Sequence, residues 1–242
     1  MQAPPHIAVT HFVAFGDDIT WGEDGSNTSV VSQSARGLVR PAVQLPTAQT
    51  YPGALELELR NRYNTQNPTV TNAGVAGESA GDPATLSRFR KIVVVGGFDS
   101  VLLMEGSNDL ANPGPGNIPP AIANLRAMLD DAKGRAMRPY LATVPPMVPG
   151  GSRAQAWSLV PMLNDQIRQL AMSENVPLVD IYAGFGDSFQ QYIGPDGLHP
   201  NAAGYAKIAD LFFAALKSTL ESPPAATATR GNALPSIRRP RP

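Results

Sequence analysis

Short apolar runs alternate along this chain with longer segments in which apolar residues recur at helical spacing. The runs are rich in β-branched and aromatic residues and span 12–15, 69–71, 101–104, 140–144 and 176–181. Each run is almost continuously apolar, which is typical of strands that are covered on both faces. The alternation therefore indicates a parallel sheet that lies between two layers of helices.

The segments between the runs carry the helical pattern. One begins at Thr50, a residue type that caps helices, with Pro52 in its first turn and Leu55 and Leu59 on one face. Residues 92–95 fit either a strand or a helix. Further segments repeat apolar residues at the same spacing, within 118–129, 160–170 and 205–220. Together the patterns predict an α/β fold, a three-layer αβα sandwich with a five-stranded parallel sheet.

Charge and composition narrow the classes of partner and chemistry. The chain has 19 Lys and Arg against 20 Asp and Glu and no basic stripe, which argues against nucleic acid as a partner. It has no cysteine, which excludes disulfides and thiol catalysis. No apolar run approaches the ~18 residues that a spanning helix needs. We therefore expect no membrane span and no nucleic-acid partner.

The composition changes at the C-terminal end. Residues 222–242 hold five prolines and four arginines and no acidic residue, and they show no apolar periodicity. This composition predicts a disordered or loosely packed tail. Residues 1–221 are predicted to form the single folded domain, which contains 15 basic and 20 acidic residues. The neutral balance of the whole chain thus combines an acidic domain with a basic tail.

Four polar blocks stand where strands end or where the last helix begins. Parallel strands present their carboxyl ends at one edge of a sheet, and ligands bind there in open α/β folds. We therefore expect the four blocks to converge. The blocks are Gly16-Asp17-Asp18, Asn72-Ala73-Gly74-Val75-Ala76-Gly77, Gly106-Ser107-Asn108-Asp109 and Asp196-Gly197-Leu198-His199.

In this order, the blocks resemble those of the SGNH hydrolases, also called the GDSL esterase and lipase family. The family pattern is Gly-Asp-Ser, Asn-x-Gly-x-x-Gly, Gly-x-Asn-Asp and Asp-x-x-His, and the resemblance runs from Gly16 to His199. It implies a flavodoxin-like sandwich and the hydrolysis of carboxylic esters by a Ser-His-Asp mechanism. One position departs from the pattern, because Asp18 stands where the family has its nucleophilic serine.

The resemblance implies a role for each matching residue. His199 is the general base, and Asp196 orients it within one turn at the start of the last helix. The backbone N–H groups of Asp18 and Gly77 and the side-chain amide of Asn108 form the oxyanion hole. Asp18 occupies the nucleophile position, so the catalytic set of this chain is Asp18, Asp196 and His199.

The other polar residues of the blocks are expected to support loops. Asp17 and Asp109 are predicted to accept hydrogen bonds from backbone N–H groups. For Trp21 and Trp157, the sequence leaves two roles open, packing within the fold and contact with substrate. No cofactor and no metal ion are expected for the reaction that the resemblance implies.

Asp18 changes what the chain can do. A carboxylate has no proton for His199 to remove, and its attack on an ester would form a mixed anhydride, so ordinary esterase turnover should be low or absent. Three hypotheses follow, of which the first is favoured. The chain is an inactivated or trapped form of an active esterase, a natural pseudoenzyme that binds acylated carbohydrate, or an enzyme of other chemistry. In the third, Asp18 attacks an alkylating substrate, or Asp17, Asp18 and nearby acidic residues hold a hard cation through oxygen ligands.

The substrate class is inferred from the loops. Segments 23–49 and 111–120 are rich in Gly, Pro and Ser and are predicted to form the rim or lid of the site, with 145–151 as a further wall. Because none of them forms a large apolar lid, we expect a short acyl ester as the small-molecule substrate. A monomer that is secreted or periplasmic in a bacterium is also expected, with its signal peptide outside this sequence.

Overall fold

The computed structural model describes residues 4–27, 32–34, 37–39, 42–111, 114–151, 153 and 155–222. The strands are β1 (His6–Ile7), β2 (His11–Gly16), β3 (Ser32–Ser34), β4 (Gly37–Val39), β5 (Thr69–Gly74), β6 (Ser100–Met104), β7 (Arg138–Ala142), β8 (Leu178–Val179) and β9 (Glu221–Ser222). The helices are α1 (Asp18–Trp21), α2 (Tyr51–Arg62), α3 (Pro83–Val95), α4 (Ile118–Lys133), α5 (Val160–Ser173), α6 (Ile181–Phe185) and α7 (Ala202–Leu220). Of the predicted tail, all but Ser222 lies outside the described residues.

The central sheet has the strand order β5-β2-β6-β7-β8, and every neighbouring pair is parallel. Numbered along the chain, this is the 2-1-3-4-5 order of flavodoxin-like folds. The predicted five-stranded αβα sandwich is thus confirmed. Two short antiparallel ladders accompany it, β1 with β9 and β3 with β4.

The core lies on both faces of this sheet because successive strand residues point in opposite directions. On β2, Val13 and Phe15 face a cluster that includes residues of α3, α4 and α5. Phe12 and Ala14 face a second cluster, formed with α2 and α7. All four side chains are fully buried, which explains why the sequence run is continuously apolar.

Two predicted strands end before their apolar runs do. The run 140–144 becomes Arg138–Ala142, so the strand begins and ends two residues earlier. The run 176–181 keeps only Leu178–Val179. Asp180 ends that strand because its carboxylate caps α6 by accepting a hydrogen bond from the Ala183 N–H at 3.1 Å.

The ambiguous segment 92–95 is the last turn of α3. Phe89 and Val93 are buried on one face of this helix, whereas Val94 and Val95 are exposed. Packing of the buried face therefore outweighs the β propensity of the three valines. In the described residues, no helix is both long and apolar enough to cross a membrane.

Gly74, the last residue of β5, sets how closely this strand approaches the turn that carries Asp18. A Cβ atom at Gly74 would lie well inside van der Waals contact with the backbone nitrogen of Trp21. The side chain of Asn72 holds the same approach, since its amide donates to the Trp21 carbonyl at 3.2 Å and its oxygen accepts from the Gly74 N–H at 2.9 Å. Glycine in the second block therefore serves packing beneath the site.

We expect Gly74→Ala to lower the free energy of unfolding by about 3 kcal/mol, because backbone atoms must move to admit the methyl group. The matched control is Gly116→Ala, where a Cβ atom meets nothing within 4 Å. Urea unfolding of both variants tests the expectation. Equal stability of the two would show that the approach of β5 to Trp21 is loose.

Candidate active site

The polar blocks meet at the carboxyl ends of β2 and β6, the neighbouring strands at which the chain order of the sheet reverses. Asp18 follows β2, and Asn108 follows β6. The loop before α7 brings Asp196 and His199 to the same place. Open α/β sheets bind ligands at this kind of switch point. The predicted convergence of these blocks is what the structure shows.

His199 lies between two carboxylates. Its Nδ1 atom is 2.6 Å from Asp196 Oδ2, and its Nε2 atom is 2.9 Å from Asp18 Oδ2. Asp196 also accepts from the backbone N–H groups of Leu198 and His199, both at 3.0 Å, which holds the turn. A carboxylate can only accept, so both ring nitrogens of His199 donate and the ring is an imidazolium.

The second oxygen of Asp18 contacts the amide of Asn108. Asn108 Nδ2 donates to Asp18 Oδ1 at 3.1 Å and to the carbonyl of Glu78 at 2.9 Å. The Asp18 side chain is almost fully buried, and its carboxylate bridges a predicted base and a predicted oxyanion donor. This is the arrangement expected of a carboxylate product.

Fewer of the described contacts define the position of Gly77. It lies in an exposed turn with φ of 78°, next to the Glu78 carbonyl that Asn108 holds. A Cβ atom there would meet nothing within 4 Å. The role of its N–H in an oxyanion hole stays a prediction, as do the catalytic roles of the other residues.

The pKa values reflect the charges of the site. Burial alone would lower the pKa of His199, but hydrogen bonds to Asp18 and Asp196 and the charge of Asp18 raise it to about 10. Burial alone would raise the pKa values of Asp18 and Asp196, but their hydrogen bonds to the imidazolium hold both below the ordinary value. The ion pairs therefore persist at neutral pH, and His199 is not a free base.

Two further carboxyl groups lie beneath Asp18. Burial, and then the charge of Asp18, raise the pKa of Asp17 well above its ordinary value. Burial, and then Asp17, do the same to the pKa of Glu105, whose carboxyl oxygens have no hydrogen-bond partner in the described part of the chain. Burial thus favours the neutral form of both carboxyl groups.

The predicted loop-holding contacts of Asp17 and Asp109 are confirmed. Asp17 Oδ1 caps α1 by accepting from the Ile19 N–H at 3.0 Å. The two oxygens of Asp109 accept from the N–H groups of Ala80 and Gly81 at 2.7 and 2.8 Å. Asp109 thereby ties the loop after β6 to the loop after β5, and so fixes Asn108 relative to Gly77.

We expect Asp109→Ala to lower the free energy of unfolding by about 2–3 kcal/mol, because it leaves two backbone N–H groups without an acceptor. Asp82→Ala is the matched control, since Asp82 is exposed and caps α3 through one N–H, that of Ala84. Its loss should cost about 1 kcal/mol. Denaturant unfolding compares the two, and an Asp109 effect no larger than that of Asp82 would contradict the assignment.

Sequence reasoning did not single out two charged residues that the structure brings to the site. Glu23 Oε2 is 3.6 Å from His199 Nε2. A guanidinium nitrogen of Arg153 donates to Asn108 Oδ1 and orients its amide toward Asp18. Glu23 is the first residue of the segment 23–49, which is predicted to form the rim of the site, and this prediction was the sequence signal for its position. Nothing in the sequence around Arg153 indicated that this residue reaches the site.

Asp196 and His199 share a turn just before α7, which begins at Ala202 with Asn201 as its cap. The predicted rim falls in part on residues outside the described ranges, among them 28–31, 35–36 and 112–113. Trp21 is half-buried in α1, and Trp157 is exposed before α5.

Comparison with protein families gives a match that spans the site. The model of the GDSL-like lipase/acylhydrolase family matches residues 14–207, which include all four blocks. No curated protein matches the chain.

Solved structures of similar fold cover nearly the whole of each chain. A lipase/acylhydrolase from Enterococcus faecalis is 22% identical with a TM-score of 0.67, over 89% of this chain and 98% of that one. A carbohydrate acetylesterase from Sinorhizobium meliloti is 16% identical with a TM-score of 0.63, over 86% and 96%. A variant of an acetyl-xylooligosaccharide esterase from Geobacillus is 20% identical with a TM-score of 0.64, over 87% and 95%. At these identities the likeness shows the fold.

Proposed function

Because the chain belongs to the GDSL-like lipase/acylhydrolase family, we propose that its site is that of a short-acyl carboxylic ester hydrolase in which Asp18 has replaced the nucleophile. The chain then retains the histidine, the orienting carboxylate and the oxyanion donors but turns over esters slowly or not at all. The observation that carries this proposal is the position of Asp18, which contacts His199 Nε2 at 2.9 Å and Asn108 Nδ2 at 3.1 Å.

A serine at position 18 would fit the geometry of an acyl-transfer site. Its hydroxyl would face His199 Nε2, which would take the proton as the oxygen attacks the ester carbonyl. Asp196 on Nδ1 would orient the ring and stabilise the imidazolium that forms. The Asn108 amide would donate to the oxyanion, and water would then hydrolyse the acyl-enzyme with His199 as base.

Asp18 prevents this sequence in two ways. The carboxylate gives His199 no proton to remove, and it keeps the imidazole protonated, so the base is lost together with the nucleophile. If the carboxylate attacked an ester, the tetrahedral intermediate would have to expel an alkoxide to leave a mixed anhydride. The carboxylate is the better leaving group of the two, so the intermediate would return to the ester.

The preference for short acyl groups rests on the space beside Asn108. A cavity of about 220 Å³ opens there, lined largely by polar groups that include Ser79, Asp82 and Asn117. It is smaller than the ~300 Å³ at which pockets for drug-sized ligands begin. Two structural neighbours are named for acetylated carbohydrates, which supports acetyl as the acyl group.

The proposal is tested by the esterase activity of Asp18→Ser beside that of the unaltered chain. A short-chain 4-nitrophenyl ester is the substrate, because its leaving group is coloured and makes few demands on the pocket. A folded Asp18→Ser protein that gains no activity contradicts the proposal.

A further inference from the structure

Three side chains at the site bring atoms that could bind a metal ion close to one another. In the part of the chain that the structure describes, Asp18, Glu23 and His199 each offer one ligand atom, and these atoms lie within 4.8 Å of one another. His199 Nε2 is 2.9 Å from Asp18 Oδ2 and 3.6 Å from Glu23 Oε2. Ligands that bind zinc tetrahedrally with bonds of ~2.0–2.1 Å stand about 3.3 Å apart. The two distances from His199 Nε2 are therefore close to those of a formed site.

The hydrogen bonds around these ligands also suit a metal centre. Histidines that bind metals almost always donate their other ring N–H to a carboxylate, carbonyl or water. Asp196 already accepts from Nδ1 of His199 at 2.6 Å, which leaves Nε2 as the ligand atom. Asn108 holds the Asp18 oxygen that faces away from His199. His199 and Asp18 are thus each oriented by a second residue.

The balance of charge favours a cation at this point. Three carboxylates, those of Asp18, Glu23 and Asp196, surround one imidazole, and the side chains of Glu23 and His199 are only 12% and 8% exposed. The guanidinium of Arg153 contacts the far side of Asn108. A divalent ion among the three ligands would bring positive charge to a buried acidic group and would take the place of the proton on Nε2, which passes to solvent.

We propose that Asp18, Glu23 and His199 bind a divalent transition metal ion of the zinc type. One imidazole nitrogen and two carboxylate oxygens suit zinc and cobalt, and three protein ligands leave a coordination position open for water. The cation site considered from the sequence consisted of Asp17, Asp18 and nearby acidic residues that bind through oxygen. This site differs from it because His199 is a ligand, whereas Asp17 caps α1 and is not one. It goes beyond the proposed function, since it requires no ester turnover.

Isothermal titration of the full chain with zinc chloride at neutral pH tests the site. We expect one ion per chain, a rise in thermal stability on binding, and a visible absorption spectrum of low-coordinate cobalt when cobalt replaces zinc. Glu23→Gln removes one ligand and should weaken zinc binding by at least tenfold. Asp196→Asn, which removes the carboxylate that accepts from Nδ1, should weaken it by about 10- to 100-fold.

Two controls separate this site from others. Asp187→Asn removes an exposed carboxylate outside the cluster and should leave zinc affinity unchanged. His11→Ala removes the exposed histidine that pairs with Asp99, the other place where a described histidine lies beside an acidic residue. Absence of saturable binding, or binding that is lost in His11→Ala but kept in Glu23→Gln, would overturn the proposal. Circular dichroism of Glu23→Gln tests whether the variant is folded, so that a loss of binding can be assigned to the loss of the ligand.

Discussion

Asp18→Ser is expected to raise the rate of hydrolysis of 4-nitrophenyl acetate by about 10³-fold or more over the unaltered chain. Loss of a triad nucleophile leaves a residual acceleration of roughly 10³- to 10⁴-fold over water, whereas the intact triad adds up to about 10⁶-fold more. The variant supplies the nucleophile and also removes the carboxylate that keeps His199 protonated. Both changes act in the same direction, and initial rates on purified protein measure their sum.

Two control variants identify the source of the gain. Asp18→Ala removes the carboxylate without adding a hydroxyl, so its activity should stay close to that of the unaltered chain. Asn108→Ala in the Asp18→Ser background should lower kcat by about 10²- to 10³-fold, because one oxyanion donor is lost. If Asp18→Ser is folded and inactive, the esterase proposal fails. A protein that nevertheless binds an acylated saccharide would then fit the pseudoenzyme hypothesis.

Asp18→Asn is expected to lower the pKa of His199 from about 10 toward the ordinary value near ~6.5. Asparagine keeps the shape of the side chain but removes the charge that, with the hydrogen bond, favours the imidazolium. Asp196 and Glu23 remain, so the pKa should stop above the ordinary value. Titration of the imidazole signals by NMR measures the pKa in both proteins, and equal values would contradict the assigned cause.

The same pKa predicts how stability depends on pH. His199 has a higher pKa in the folded state than in the unfolded state, so its contribution is complete below about pH 6.5 and is lost as pH rises through about 10. Asp18 and Asp196 have lowered pKa values, so their contribution is present above about pH 4 and is lost on acidification. Between neutral pH and pH ~10, the free energy of unfolding should fall less in Asp18→Asn than in the unaltered chain. Parallel profiles from urea unfolding would contradict this expectation.

The sheet was predictable because its strands are buried on both faces, which leaves a continuous apolar signature in the sequence. Strand ends were less predictable. Val176 to Ile181 is apolar enough for a longer strand, but Asp180 caps the next helix and stops it at Val179. Likewise, the valines at 93–95 have strand propensity, and only the burial of Phe89 and Val93 on one helix face decides for α3.

Some residues of the candidate site could likewise be predicted from the sequence, and others could not. Asp18, Asn108, Asp196 and His199 were found from the sequence because each belongs to a local block whose position at the end of a strand or the start of a helix can be predicted. Glu23 and Arg153 were not found, because each reaches the site from a loop whose path depends on packing. Their contacts with His199 and Asn108 join residues 176 and 45 positions apart.

The sequence by itself determined the layered fold, the order of the four blocks and the aspartate at position 18, because apolar periodicity and short motifs are local properties of a chain. Tertiary structure alone decided that the Asp18 carboxylate lies between His199 and Asn108 and that Glu23 lies within 3.6 Å of the same imidazole. Those distances join residues far apart in the chain, and the charge state of a buried imidazole depends on them. The presence of aspartate at position 18 could be read from the chain, but its ion pair with His199 could not.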